Sequence, residues 1–258
     1  MPSLGLGVYD MYGREAEDAV NCALEIGYRL IDTASMYRNE VEIGNAIRRS
    51  GVRRAEIFIT TKVHNRDQGY ESTLRAFDES EKKINCGPID LYLVHWPLKP
   101  TRKDTWRALE KLYSDGRVRA IGVSNYLQPF LDELAKYATV QPAVNQVEFS
   151  PYLYRRDLLL TCSNRKIHLQ AFSPLGRGQR MKDPRLLSLA EKYGKTPAQI
   201  MLRWILQHGA SAIPKSVNPA RLKENFEVFD FELQPEDLSY IDTFNEDLRV
   251  AEDPMDMW

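Results

Sequence analysis

Polar side chains recur at the carboxyl ends of successive apolar, β-rich runs, and a helix-like segment follows each run. Asp32 ends RLID, Lys62 ends IFITTK, and His95 ends DLYLVH. Ser124 and Asn125 end AIGVSN, Gln146 comes late in AVNQVE, and Lys215 ends SAIPK. A buried core has no use for such groups at these positions, because each would need a partner to offset its lost hydration. If the runs are parallel strands of one closed sheet, all these side chains gather at one rim. That rim is where barrels of alternating strands and helices carry their chemistry. The pattern predicts an α/β chain folded as a (β/α)8 TIM barrel, with its active site at the C-terminal rim of the strands.

The same alternation runs from end to end. GLGVYD reads as a strand; Ala16, Ala19, Val20, Ala23 and Leu24 then keep helical spacing until Gly27 stops the helix. YRLIDTA, EIFITTKV, IDLYLVH, VRAIGVSN, PAVNQVEF, HLQAFSP and SAIPKS are the later strand signals. Between and after them, helical spacing covers about Glu42–Arg49, Glu71–Ile84, Lys103–Tyr113, Pro129–Tyr137 and Arg156–Ser163, a longer stretch after HLQAFSP, then Ala220–Glu227 and Pro235–Phe244. That makes about eight β/α units, the number that closes a barrel. No linker or low-complexity segment interrupts them, so residues 1–258 read as one domain. A doubly wound open sheet should carry a G-x-G-x-x-G turn after an early strand. Gly5 and Gly7 have the first spacing but lack the third glycine.

The formal net charge of −1 at pH 7 gives no reason to expect nucleic acid or an acidic membrane as a partner. Three widely separated cysteines, Cys22, Cys86 and Cys162, lack metal-ligand spacing and read as buried, inert thiols in a reducing cytoplasm. No apolar run is long enough to span a bilayer.

Asp32, Tyr37, Lys62 and His95 make chemical sense together. A phenol with a pKa of ~10 is a poor proton donor at neutral pH. A nearby ammonium stabilises the phenolate and is expected to lower that pKa. A carboxylate fixes the ammonium, and a histidine beside the phenol can hydrogen-bond a carbonyl oxygen. Such a site protonates an oxygen as negative charge develops on it. Taken singly, Tyr37 and Lys62 would pass for surface residues and His95 for a core histidine. Their joint spacing favours the catalytic reading.

RLIDTASMYRNEVEIGNAIRRSGV, IFITTKV, IDLYLVHWP, AIGVSNY, NQVEFSPY, PAQIMLRW and IPKSVNPARLKENFEVF together resemble the aldo-keto reductase superfamily over nearly the whole chain. The chain looks most like its short members, such as the 2,5-diketogluconate reductases, glyoxal reductases and some prostaglandin F synthases. The resemblance implies reduction of aldehydes, and of some ketones, to alcohols with NADPH, in a cytoplasmic monomer that needs no metal. By it, Tyr37 is the general acid, Asp32 and Lys62 tune it, and His95 positions a small carbonyl substrate beside Trp96. Ser124, Asn125 and Gln146 resemble the residues that hold the nicotinamide carboxamide, and Phe172 the ring that stacks on the nicotinamide. Gly7 and Val8 resemble backbone contacts near the cofactor's middle, and Ser173, Leu175 and Gly176 a loop across its pyrophosphate. Lys215, Ser216 and Arg221 match the residues placed on a 2′-phosphate, where a fork-shaped guanidinium suits an anion. Glu224 and Asn225 resemble adenine contacts.

Three departures stand out. Relatives usually begin with a hairpin that plugs the barrel bottom, whereas this chain starts almost at its first strand. The segment LRVAEDPMDMW is short, which predicts a shallow pocket, and Trp258 is expected to fold over the rim. His64 replaces a tryptophan common in relatives, predicting a more polar or more open wall. An NADPH-binding sensor or regulatory subunit with the same barrel is the alternative; the intact catalytic set argues against it.

Overall fold

The computed structural model describes residues 1–257; the expectation for Trp258 falls outside the described residues. Eight parallel strands pair in chain order: β1 (Leu6–Gly7), β2 (Leu30–Asp32), β3 (Phe58–Val63), β4 (Ile89–Val94), β5 (Val118–Ser124), β6 (Val144–Glu148), β7 (His168–Phe172) and β8 (Ser211–Ala212). The sheet closes on itself where Leu4 bridges Ala212 in parallel and the Gly5 N–H donates to the Ala212 carbonyl at 2.9 Å. This is the (β/α)8 barrel that the alternation predicts.

Helices α1 (Gly13–Ile26), α2 (Glu40–Arg49), α3 (Tyr70–Ile84), α4 (Arg102–Ser114), α5 (Gln128–Leu134) and α6 (Arg156–Asn164) each follow one strand. The longer stretch after β7 resolves into two helices, α7 (Pro184–Tyr193) and α8 (Pro197–Gln207), and α9 (Pro219–Phe226) and α10 (Pro235–Asp242) follow β8. The Ala16, Ala19, Val20, Ala23 and Leu24 stripe is buried against the sheet, as its spacing requires. Gly27 ends that helix at φ 125°, a backbone angle that a side chain disfavours. Trp106 and Trp204 are fully buried on their helices. Of the cysteines only Cys162 is fully buried; Cys22 and Cys86 are half-buried, and burial pushes all three thiols up.

The first and last strands are shorter than GLGVYD and SAIPKS suggest. Pro214 has no N–H to extend β8, and the chain turns away after β1 through Asp10 at φ 56°. Because side chains alternate along a strand, residues 58, 60 and 62, then 91 and 93, 120, 122 and 124, 144, 146 and 148, and 168, 170 and 172 face the barrel axis. Phe58, Leu91, Leu93, Ala120 and Val144 form an apolar plug of their own at the lower end. Above it the interior turns polar, with Asp32, Lys62, Gln146 and Gln170 all buried.

Candidate active site

The C-terminal rim opens into a cavity of about 1430 Å³. Its wall runs from Tyr37, His95 and Trp96, past Ser124, Asn125, Gln146 and Phe172, to Lys215, Ser216, Arg221, Glu224 and Asn225. Gly7, Asp32, Ser173 and Leu175 also face it. Val8, Lys62 and Gly176 do not line it: Lys62 lies beneath the floor with 0% exposure, and Val8 and Gly176 are buried in the rim. At Gly7 a Cβ would come within 2.8 Å of the Ile213 carbonyl, so close strand approach alone requires a glycine there.

Lys62 Nζ donates to Asp32 Oδ1 at 2.6 Å, to the Thr33 carbonyl at 2.9 Å and to Tyr37 Oη at 3.4 Å. Burial works against the Lys62 charge, but Asp32 and Tyr37 outweigh it and hold the ammonium above its ordinary range. Burial pushes the Asp32 carboxyl up, against the pull of Lys62 and Gln146. With N–H donors at 2.6 Å on both oxygens, the geometry favours the carboxylate. Tyr37 corrects the expectation drawn from the sequence. Burial raises its pKa; Lys62 pulls it down, but with Asp32 adding to the rise the net direction is upward. The phenol is therefore held protonated, with an ammonium in place to meet a phenolate when one forms.

His95 follows β4 directly, its ring edge-on to Tyr37 with centroids 5.7 Å apart. Burial, then Lys62 and His64, push its pKa well below 6.5, so the imidazole is neutral at pH 7. Its carbonyl accepts from Asn125 Nδ2 at 2.9 Å, and its Nδ1 has no hydrogen-bond partner among the described residues.

Three features escaped the sequence reading. Asn39 holds the Tyr37 turn: its Oδ1 accepts from Thr33 Oγ1 at 2.7 Å, and its Nδ2 donates to the Val8 and Met11 carbonyls at 2.8 and 3.0 Å. Gln170 accepts from Gln146 Nε2 at 2.7 Å. Glu148 accepts from the Val250 and Ala251 N–H groups at 2.6 and 3.1 Å, and so binds the tail across the rim, where Val250, Ala251 and Glu252 form part of the wall. A glutamine or glutamate at an axis-facing position was the available signal for the last two. His64 does not line the cavity; its Nδ1 accepts from the Arg66 N–H at 3.1 Å, and Asn65 faces the wall instead.

The far end of the cavity is cationic and polar. Asn218 caps α9 by accepting from the Ala220 and Arg221 N–H groups, and Lys215 and Arg221 are exposed beside it. A helix N-terminus flanked by two cations suits an anionic group. Among the described residues no three His, Cys, Asp or Glu side chains gather as a metal site, and no helix is long and apolar enough to cross a membrane.

Residues 3–246 match the sequence profile of the Aldo/keto reductase family. The chain is 51% identical to the glyoxal reductase of Bacillus subtilis (strain 168) over 255 residues, which cover 98% of this chain and 92% of that one. It is 50% identical to the 9,11-endoperoxide prostaglandin H2 reductase of Trypanosoma cruzi (strain CL Brener), over 98% of this chain and 91% of that one. A mutant of Gox0644 crystallised in complex with NADPH has the same fold, with a TM-score of 0.94 and 41% identity over 99% of this chain and 94% of that one.

Proposed function

The chain belongs to the aldo-keto reductase family, and from that premise we propose that it reduces small aldehydes and dicarbonyls to alcohols with NADPH, using Tyr37 as the proton donor. One observation carries this reading: Lys62 Nζ joins Asp32 and Tyr37 beneath the floor of a cavity that Tyr37 and His95 enter.

The cavity's donor set fits the cofactor. Ser124, Asn125 and Gln146 would hold its carboxamide and Phe172 its ring, with Gly7, Ser173 and Leu175 along its middle and Val8 and Gly176 shaping the rim behind them. Lys215, Ser216 and Arg221 would take the 2′-phosphate, and Glu224 and Asn225 the adenine. When bound, NADPH supplies the hydride to the carbonyl carbon. His95, neutral, orients the carbonyl oxygen toward Tyr37, and Trp96 walls the substrate side. As negative charge builds on that oxygen, Tyr37 gives up its proton, and Lys62, anchored by Asp32, stabilises the phenolate. The same reading takes residues 1–258 as one catalytic domain acting as a monomer in the cytoplasm; three free cysteines agree with a reducing compartment.

The test is NADPH oxidation with glyoxal-type dicarbonyls and simple aldehydes. Turnover is expected, and Tyr37→Phe should lower kcat by about 10³-fold while NADPH still binds. Full turnover in Tyr37→Phe would refute the acid role. Tight NADPH binding without turnover on any carbonyl would favour a sensor.

A further inference from the structure

Gln146 has a single amide with which to meet two demands. Its Nε2 donates to Asp32 Oδ2 at 2.6 Å and to Gln170 Oε1 at 2.7 Å. Both hydrogens of that nitrogen are therefore used below the cavity floor, and Oε1 is the polar atom left for the cavity that Gln146 lines. The opposite orientation would set oxygen against oxygen at both contacts. Gln170 lies directly beside Gln146 in the β6–β7 register, has 0% exposure and does not reach the cavity.

We infer that Gln170 is a positioning residue: it fixes the amide of Gln146 so that an acceptor oxygen, and not an N–H, faces the bound dinucleotide's carboxamide. The inference rests on the proposed NADPH reading of the cavity. Asp32 alone would satisfy only one of the two Gln146 hydrogens. Without the Gln170 oxygen, the second becomes a buried unsatisfied donor, and the amide gains by swinging it toward the cavity. A donor would then face the carboxamide N–H₂ where an acceptor is needed. Among the described residues, the one other hydrogen bond of the Gln170 amide runs from its Nε2 to Met1 Sδ at 3.8 Å, too weak an acceptor to account for a buried amide here.

Coupling is the test, read by NADPH titration of the protein's fluorescence. Gln170→Leu removes the oxygen, Gln170→Met does so at nearly constant volume should the leucine fold poorly, and Gln170→Glu keeps an acceptor. In the otherwise unmodified protein, removal should weaken NADPH binding about fivefold, with the glutamate variant close to the parent. In a Gln146→Leu background the same removal should change binding less than about twofold, since residues acting through one another are not additive. An equal loss in both backgrounds, or no loss in either, would overturn the inference. If the unmodified protein itself fails to bind NADPH, the cofactor reading fails instead.

Discussion

Two buried carboxylates stand at opposite ends of this barrel, and their surroundings differ in one respect. At the lower end Asp90 accepts from Arg54 at 2.7 Å, Arg119 at 2.7 Å and the Ile59 N–H at 2.9 Å. At the rim Asp32 accepts from Lys62 and Gln146, each at 2.6 Å. The arginines of Asp90 reach solvent, Arg54 with 22% and Arg119 with 67% of the side chain exposed, whereas Lys62 has none. A carboxylate clamped by surface cations ties strand starts together. A pair sealed under a cavity, with a tyrosine on its lysine, holds, on the proposed mechanism, charge ready for a reaction. Both carboxylates are buried, but only the second pair is sealed on both sides and has a titratable group between it and an open pocket.

The largest expected effect breaks the rim pair. Lys62→Met leaves Tyr37 without the ammonium that meets its phenolate, and kcat should fall by about 10²–10³-fold in steady-state NADPH oxidation. Asp90→Ala is the counterpart below. It should leave kcat within about twofold but cost about 2 kcal/mol in urea unfolding, less than for a sealed pair because the arginines left behind can hydrate.

Glu148 sharpens the rim side of the contrast, since it holds pocket wall and not reacting atoms. Glu148→Ala should raise the carbonyl KM about fivefold with little change in kcat, because the wall segment it anchors loosens while the reacting groups stay in place. It should also speed proteolysis near residues 249–253.

Acid should act through the histidines. His95 and His168 are pushed below the ordinary 6.5, mainly by burial, so the unfolded chain binds their protons more readily than the folded one. Their stability is complete above pH 6.5 and is lost as pH falls through it, at up to about 1.4 kcal/mol per pH unit for each histidine. His95→Gln should flatten the slope of Tm against pH between 7 and 5. The smallest effect belongs to Arg119→Ala: an exposed partner, worth less than about 1 kcal/mol, with activity untouched.

The contrast also explains what the sequence could and could not show. Strand ends carrying Asp32, Lys62, His95, Ser124 and Gln146 were legible because period and position suffice to bring them to one rim. Glu148 holding Val250 was not, since the two lie 102 residues apart and no local pattern links them. Gln170 was hidden in HLQAF, where only its register against Gln146 gives it meaning. The net shift of Tyr37 was misjudged because charge proximity is visible in a motif and burial is not.

The most direct test sets Asp32→Asn beside Asp90→Asn, with NADPH oxidation and thermal unfolding measured on the same preparations. Asp32→Asn is expected to lose about 10²-fold or more in kcat with its fold retained, and Asp90→Asn to keep kcat while its Tm drops by several degrees. Full activity in Asp32→Asn, or a turnover loss in Asp90→Asn as large as its neighbour's, would contradict the division of labour between the two ends.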